Sequence, residues 1–154
     1  MADPMETAIT LQISSLTRAR RSLWERLSIK RRKAHSYVLM LAETGGAGRH
    51  MPVLIGEFEA QAIAIVLEML QPARPLAHDL FKAAVGKFGY ALDHVLINAV
   101  NEDGVFYTLM QYSKGEEKVM LDARLSDAIA LALRHDSPVY IDKAVFDKYI
   151  IAIG

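Results

Sequence analysis

Apolar residues alternate with polar ones in some stretches of this chain and recur at helical spacing in others, and the two rhythms divide it into elements. Thr7–Ile13 sets Ile9, Leu11 and Ile13 against polar neighbours, the period-two signature of a strand. Ser36–Ala42 and His50–Ile55 predict two more strands, separated by the Gly45-Gly46-Ala47-Gly48 turn. Those glycines are followed by a strand and not by a helix start, so a dinucleotide or phosphate-loop reading fails on context. Glu57 to about Leu70 is apolar nearly all round with acids in its first turn, which predicts a central helix covered on several sides. Pro72 and Pro75 break that pattern. A second helix from Leu80 to about Phe88 follows His78-Asp79, with Leu80, Phe81, Ala84, Val85 and Phe88 as its buried stripe and Gly89 as its stop.

The next section is β-rich. His94–Val100 and Val105–Tyr112 flank Asn101-Glu102-Asp103-Gly104, whose Asp-Gly pair signals a hairpin. Ser113-Lys114-Gly115 turns into a third run, Glu117–Leu121, completing an antiparallel meander. After Asp122 comes a charged corner. An Ala/Ile/Leu helix running to Arg134 then opens behind Ser126 and Asp127, both good residues for a helix start. Pro138–Ile141 reads as a short strand, and Asp142 caps a last helix carrying Val145, Phe146, Tyr149 and Ile150.

Val53–Leu67 aligns without a gap on Val119–Leu133 at a constant offset of 66 residues. Identities fall at Val53/Val119, Ala62/Ala128, Ile63/Ile129, Ala64/Ala130 and Leu67/Leu133. Apolar helices align easily, so duplication and coincidence both remain open here. Either way, the chain builds two similar strand-corner-helix units. Strands mixed with helices and few strict βαβ alternations predict an α+β fold, with a mixed, mostly antiparallel sheet and about four helices.

With 154 residues, 52% of them hydrophobic, the chain can bury a core as one domain. It has no cysteine, which excludes disulfides and thiolate metal sites. A metal here would take carboxylates, histidines or phosphate oxygens, pointing to Mg²⁺ or Mn²⁺; no organic cofactor is expected. No apolar run approaches the roughly 18 residues of a membrane span and no signal-peptide core opens the chain, so the expectation is a cytoplasmic protein without a membrane partner. Eighteen basic residues balance eighteen acidic ones, but eight of the basic side chains and only three acidic ones fall in residues 1–33. That basic stretch either holds nucleic acid phosphates or forms a solvated surface, and it reads as a short amphipathic helix with Trp24 and the leucines on one face. An exposed sheet edge and Met-rich strands point to a homo-oligomer, a dimer or higher.

Two constellations carry candidate chemistry. Glu57, Glu59, Asp122 and Asp127 lie at the two strand-to-helix corners, where carboxylates meet the positive ends of helix dipoles. If the corners are adjacent, the four could hold one or two divalent ions that activate water at a phosphodiester; otherwise they cap helices. Arg74, His78 and Asp79 form the second. Arginine takes phosphate bidentately and histidine moves protons near neutral pH, while the competing reading has Asp79 as a cap and His78 packed at the helix entry. Arg124 either pairs with Asp122 or Asp127 or contacts phosphate. His35, His50, His94 and His135 lack metal-ligand spacing, and Tyr37, Tyr107 and Tyr112 either stack on bases or pack.

Met51–Ala64, Arg74–Phe81, Gly104–Tyr107 and Leu121–Ala132, in that order, resemble the successive motifs of the bifunctional nuclease domain family of bacteria and plants. The resemblance covers about residues 36–150, and implies an α+β fold and cleavage of RNA and DNA. It does not supply catalytic residues; the candidates stay those inferred from chemistry: His78, Asp79, Asp122 and Asp127 as catalytic, Arg74 and Arg124 as phosphate-binding, and Glu57, Glu59, Asp122 and Asp127 as metal ligands. The chain then reads as one domain over residues 1–154 that departs from the family in a basic insert at about 17–34. The competing function is a non-catalytic, oligomeric binding or regulatory module.

Overall fold

A computed structural model describes residues 5–19 and 36–153. In chain order these residues form β1 (Ala8–Arg18), β2 (Ser36–Glu43), β3 (His50–Gly56), α1 (Glu57–Leu67), α2 (Ala77–Lys87), β4 (Ala91–Val100), β5 (Phe106–Lys114), β6 (Glu117–Ala123), α3 (Leu125–His135), β7 (Val139–Asp142) and α4 (Lys143–Ile153). The basic stretch from residue 20 onward, with the helix expected around Trp24, lies outside the described residues. Its expected start is strand instead: β1 continues through Arg18, which pairs with Tyr37, after a bulge between Ile13 and Ser15.

The seven strands form one sheet in the order β3-β2-β1-β7-β4-β5-β6. All neighbours are antiparallel except β4 and β7, so the fold is the mixed, mostly antiparallel α+β arrangement that the sequence predicts. Local chemistry closes the turns: the Asn101 side chain accepts from the N–H groups of Asp103 and Val105, and Gly104 takes φ 77°, a value costly for a residue with a Cβ.

The repeated unit is larger than the corner seen in the sequence. Each half is a three-stranded meander followed by a helix, β1-β2-β3-α1 and β4-β5-β6-α3, with β7 lying between the two meanders. The helix starts also adjust the register of the repeat. Gly56 is the N-cap of α1 and Arg124 that of α3, which matches Glu59 to Asp127, two residues away from the gapless alignment.

Alternate residues of the strands face the helices, in two core clusters. In the larger, Leu39 and Leu41 of β2, Met51, Val53 and Ile55 of β3, Ile97 of β4 and Ile141 of β7 meet Ala60 and Ile63 of α1, Ile129 and Ala130 of α3, and Phe146 of α4. Each of the larger side chains among these, from Val to Phe, contributes about 1.5–3 kcal/mol on burial. The central helix is α3, in which seven of eleven residues are buried. This corrects the expectation for α1, where only Ala60 and Ile63 are buried, and for α2, where none is; Leu80 and Phe88, expected inside, are 63% and 72% exposed. The reason is the layering: α3 is flanked by both α1 and α2, so their outer sides face water. Apolar periodicity shows how much surface a helix can bury, but not which helix gains neighbours on both sides. Bounds shift too. A left-handed Met69 (φ 53°) follows the end of α1, and Asp79 accepts from the Leu76 N–H at 2.9 Å, so α2 begins at Ala77 and holds His78 in its first turn. Among the described residues, no helix is long and apolar enough to cross a membrane.

Candidate functional site

Three helices place an acidic residue at the same point. Glu59, Asp79 and Asp127 are each the third residue of α1, α2 and α3, where unpaired backbone N–H groups and the helix dipole favour negative charge. Packing of α1 and α2 against α3 then brings side chains of these first turns together.

Arg124, at the N-cap of α3, joins two of them. Its Nε and Nη2 donate to Asp127 Oδ2 and Oδ1 at 2.7 and 3.2 Å, and Nη1 donates to Glu59 Oε1 at 3.1 Å. On the other side of Asp127, His78 Nε2 lies 3.0 Å from Oδ1. Burial pushes the Asp127 carboxyl up, but hydrogen bonds from Arg124 and His78, helped by the charge of Arg124, leave it below the usual carboxylate range. An ionised carboxylate only accepts, so Nε2 of His78 carries the proton. In the neutral ring this leaves a lone pair on Nδ1. The Asp127 interaction in turn raises the Arg124 guanidinium above its ordinary value. The Arg124 side chain is 66% exposed, against 19% for His78 and 24% for Glu59. Three of its five N–H groups are engaged by the two carboxylates, leaving two for an incoming anion.

The sequence candidates sort themselves on this geometry. Glu59, His78, Arg124 and Asp127 form one network. Asp79 belongs to a second, deeper pair: it accepts from Arg134 Nε at 2.7 Å, and this guanidinium, ahead of the Leu76 bond, holds its carboxyl below the usual range. Glu57 is half-buried at the start of α1, Asp122 is exposed near the end of β6, and Arg74 is exposed on the connection before α2; none of the three joins the network. Among the described residues no three His, Asp or Glu side chains are grouped so as to hold a metal ion. The four-carboxylate cage expected at the corners is therefore not assembled: an arginine bridges Glu59 and Asp127, so those two carboxylates are occupied by a cation of the chain itself. Of the tyrosines, Tyr112 is buried and Tyr107 about half exposed.

Arg134 was not singled out from the sequence. It lies in the last turn of α3, after the apolar run from Ala128 to Leu133, where a basic residue is expected merely to complement the dipole, and only the fold shows that it reaches α1 and α2.

The bifunctional nuclease domain model matches residues 39–153. This chain belongs to the bifunctional nuclease domain family. The match spans β2 through α4 and therefore every residue of the network. Among relatives, an uncharacterized protein of Mycobacterium tuberculosis (strain H37Rv) is 38% identical over 108 residues, covering 70% of this chain and 63% of that protein. Bifunctional nuclease 2 of Arabidopsis thaliana is 28% identical over 111 residues, covering 71% of this chain and 33% of the plant protein. Bifunctional nuclease 1 of Oryza sativa subsp. japonica is 25% identical over 117 residues, covering 75% and 35%. The domain thus spans under two thirds of the mycobacterial relative and about a third of the plant proteins.

Proposed function

We propose that the chain hydrolyses phosphodiester bonds in nucleic acid, with the His78–Asp127–Arg124 network as its reactive centre. The observation that carries this reading is one carboxylate holding a part-buried imidazole on one side and a largely exposed arginine on the other; membership of a nuclease-named family supports it. Asp127 orients His78, whose Nδ1 accepts a proton from the attacking water. The two free N–H groups of Arg124 hold the phosphate as charge builds on its oxygens. Arg74, exposed before α2, steadies a neighbouring phosphate. Water attacks phosphorus as His78 takes its proton, the bond to the leaving sugar oxygen breaks, and that oxygen takes up a proton from solvent while His78 returns its own to water. Since no 2′-hydroxyl takes part, RNA and DNA are both substrates.

The test is hydrolysis of labelled RNA and DNA oligonucleotides by the purified chain, with and without EDTA. His78→Ala should lower kcat by about 10²–10⁴-fold and Arg124→Gln by about 10²–10³-fold, while Asp122→Asn and Glu57→Gln stay near wild type. Activity abolished by EDTA and by Asp122→Asn would instead put Mg²⁺ or Mn²⁺ on the corner carboxylates. Nucleic acid binding without hydrolysis would make the chain a binding module. Activity that survives every substitution would refute the site.

A further inference from the structure

The most enclosed charge of the site region is not in the network itself. Arg134, in the last turn of α3, has a side chain only 5% exposed. Its Nε donates to Asp79 Oδ1 at 2.7 Å, and its Nη1 donates to the carbonyls of Ala62 and Ala130 at 3.0 and 2.9 Å. One guanidinium thus touches α1, α2 and its own helix. Lys82, on α2, donates to the Arg134 carbonyl, adding a second link between the same two helices.

What these bonds position follows from the packing of α2. No residue of that helix is buried; its apolar contacts with the core are Val85, partly buried near the C-terminal end, and Phe81, whose ring edge meets Tyr112 in mid-helix. Apolar packing therefore holds the middle and the far end of α2 and does not itself fasten the first turn, where His78 sits. Polar bonds decide it. Asp79 takes Arg134 on one oxygen and the Leu76 N–H on the other, so the turn that carries His78 is fastened by its neighbour in sequence. We propose that Arg134 is a positioning residue: by gripping Asp79 it seats the first turn of α2 so that His78 reaches Asp127. An arginine suits the task because a planar fork fixes direction, which a lysine ammonium does not. Enclosing a charge is no route to stability in itself, since apolar side chains of similar volume often serve as well. Arg134 Nη2, moreover, is buried without a protein partner. Geometry is what the residue supplies.

The kinetic consequence of this proposal rests on the hydrolytic reading, whereas its structural consequence does not, and the two are measured separately. In the full chain labelled with ¹⁵N-histidine, an imidazole N–H held by a carboxylate exchanges slowly enough with water to give a resolved cross-peak. The His78 signal is the one missing from His78→Gln. It should vanish in Asp127→Ala and also in Asp79→Asn and Arg134→Gln, while the backbone spectrum stays dispersed; Arg134→Lys should recover it in part. Where wild type hydrolyses substrate, Asp79→Asn should lower kcat by about 10²-fold, the cost of roughly an ångström of misplacement, with little change in KM. Should Arg134→Gln not fold, Asp79→Asn decides alone, because the Asp79 side chain is 33% exposed. A folded Asp79→Asn variant that keeps both the His78 cross-peak and kcat overturns the proposal, as does the lack of a His78 cross-peak in wild type. Loss of the cross-peak in these variants alongside an inactive wild type upholds the positioning role and discards hydrolysis.

Discussion

Replacing Gly56 by alanine should disturb the site while leaving the fold almost untouched. Gly56 ends β3 and caps α1 with φ −75° and ψ 171°, a conformation open to any L-residue. The new Cβ would lie 2.3 Å from Glu59 Oε2 and 3.2 Å from its Cδ, so the carboxylate must move roughly 1 Å to regain ordinary contact. Glu59 is flexible and can swing aside. What it loses is the 3.1 Å bond from Arg124 Nη1, worth only about 0.2–1 kcal/mol with the arginine two-thirds exposed. Alanine is a poorer N-cap than glycine by about 0.5 kcal/mol, and the reduced freedom of the unfolded chain returns about 0.4–1 kcal/mol. The net change should stay within about 1 kcal/mol, a shift of about 2–4 °C in Tm for a chain of this size. Calorimetry on wild type, Gly56→Ala, Glu59→Gln and the double variant tests this directly. Because both substitutions remove the same contact, the double variant should unfold with Glu59→Gln and not at the sum of the two. A drop far beyond 4 °C for Gly56→Ala, or strict additivity, would show that Glu59 is not held where the reasoning requires.

Asp127 should contribute an acid-sensitive increment of stability. Its folded value lies below the unfolded one of about 3.9, so the contribution is complete above about pH 4 and fades as pH falls through the folded value; Asp127→Asn should flatten the melting profile there. Tyr149 has the opposite sign: burial pushes its phenol up to about 12, so stability holds below about pH 10 and declines as pH rises towards 12. Tyr149→Phe should remove that alkaline slope and cost about 1 kcal/mol for the 2.6 Å bond to the Pro52 carbonyl. Met69 is 87% exposed in a left-handed conformation at φ 53°; Met69→Gly should relieve about 1–2 kcal/mol of backbone strain, of which the freer unfolded chain takes back about 0.4–1 kcal/mol, so thermal melting should show Tm raised by up to about 4 °C.

Strand and helix identities were legible because each is written in a local rhythm. The alternation in Thr7–Ile13, the Asp103-Gly104 turn and the apolar run behind Asp127 each name their element without help from elsewhere. The site was legible in outline for a related reason: acids at helix starts announce themselves, and Glu59, His78, Arg124 and Asp127 do meet. Their partners were not legible. Charge spacing could not say that Arg124, and not a metal, would bridge Glu59 and Asp127, because that depends on α1 lying against α3. Nor could a buried stripe on α2 be distinguished from an exposed one, since Leu80, Phe81 and Phe88 all stay exposed for want of a layer outside that helix. Arg134 is the extreme case, as all its meaning lies in contacts 55 and 72 residues away.

The placement of β7 also bears on how the chain is made. Only the four residues Val139–Asp142 lie between the two meanders, and they emerge from the ribosome after every other strand. Until then each half has a strand, β1 or β4, with an open backbone ladder on its inner side, a template for pairing with another chain. Translation that pauses before Val139 would leave two such edges on one nascent chain. Interruptions there should favour aggregation more than interruptions within either meander's loops, and a chaperone engaged during that interval would protect the halves until the last strand unites them.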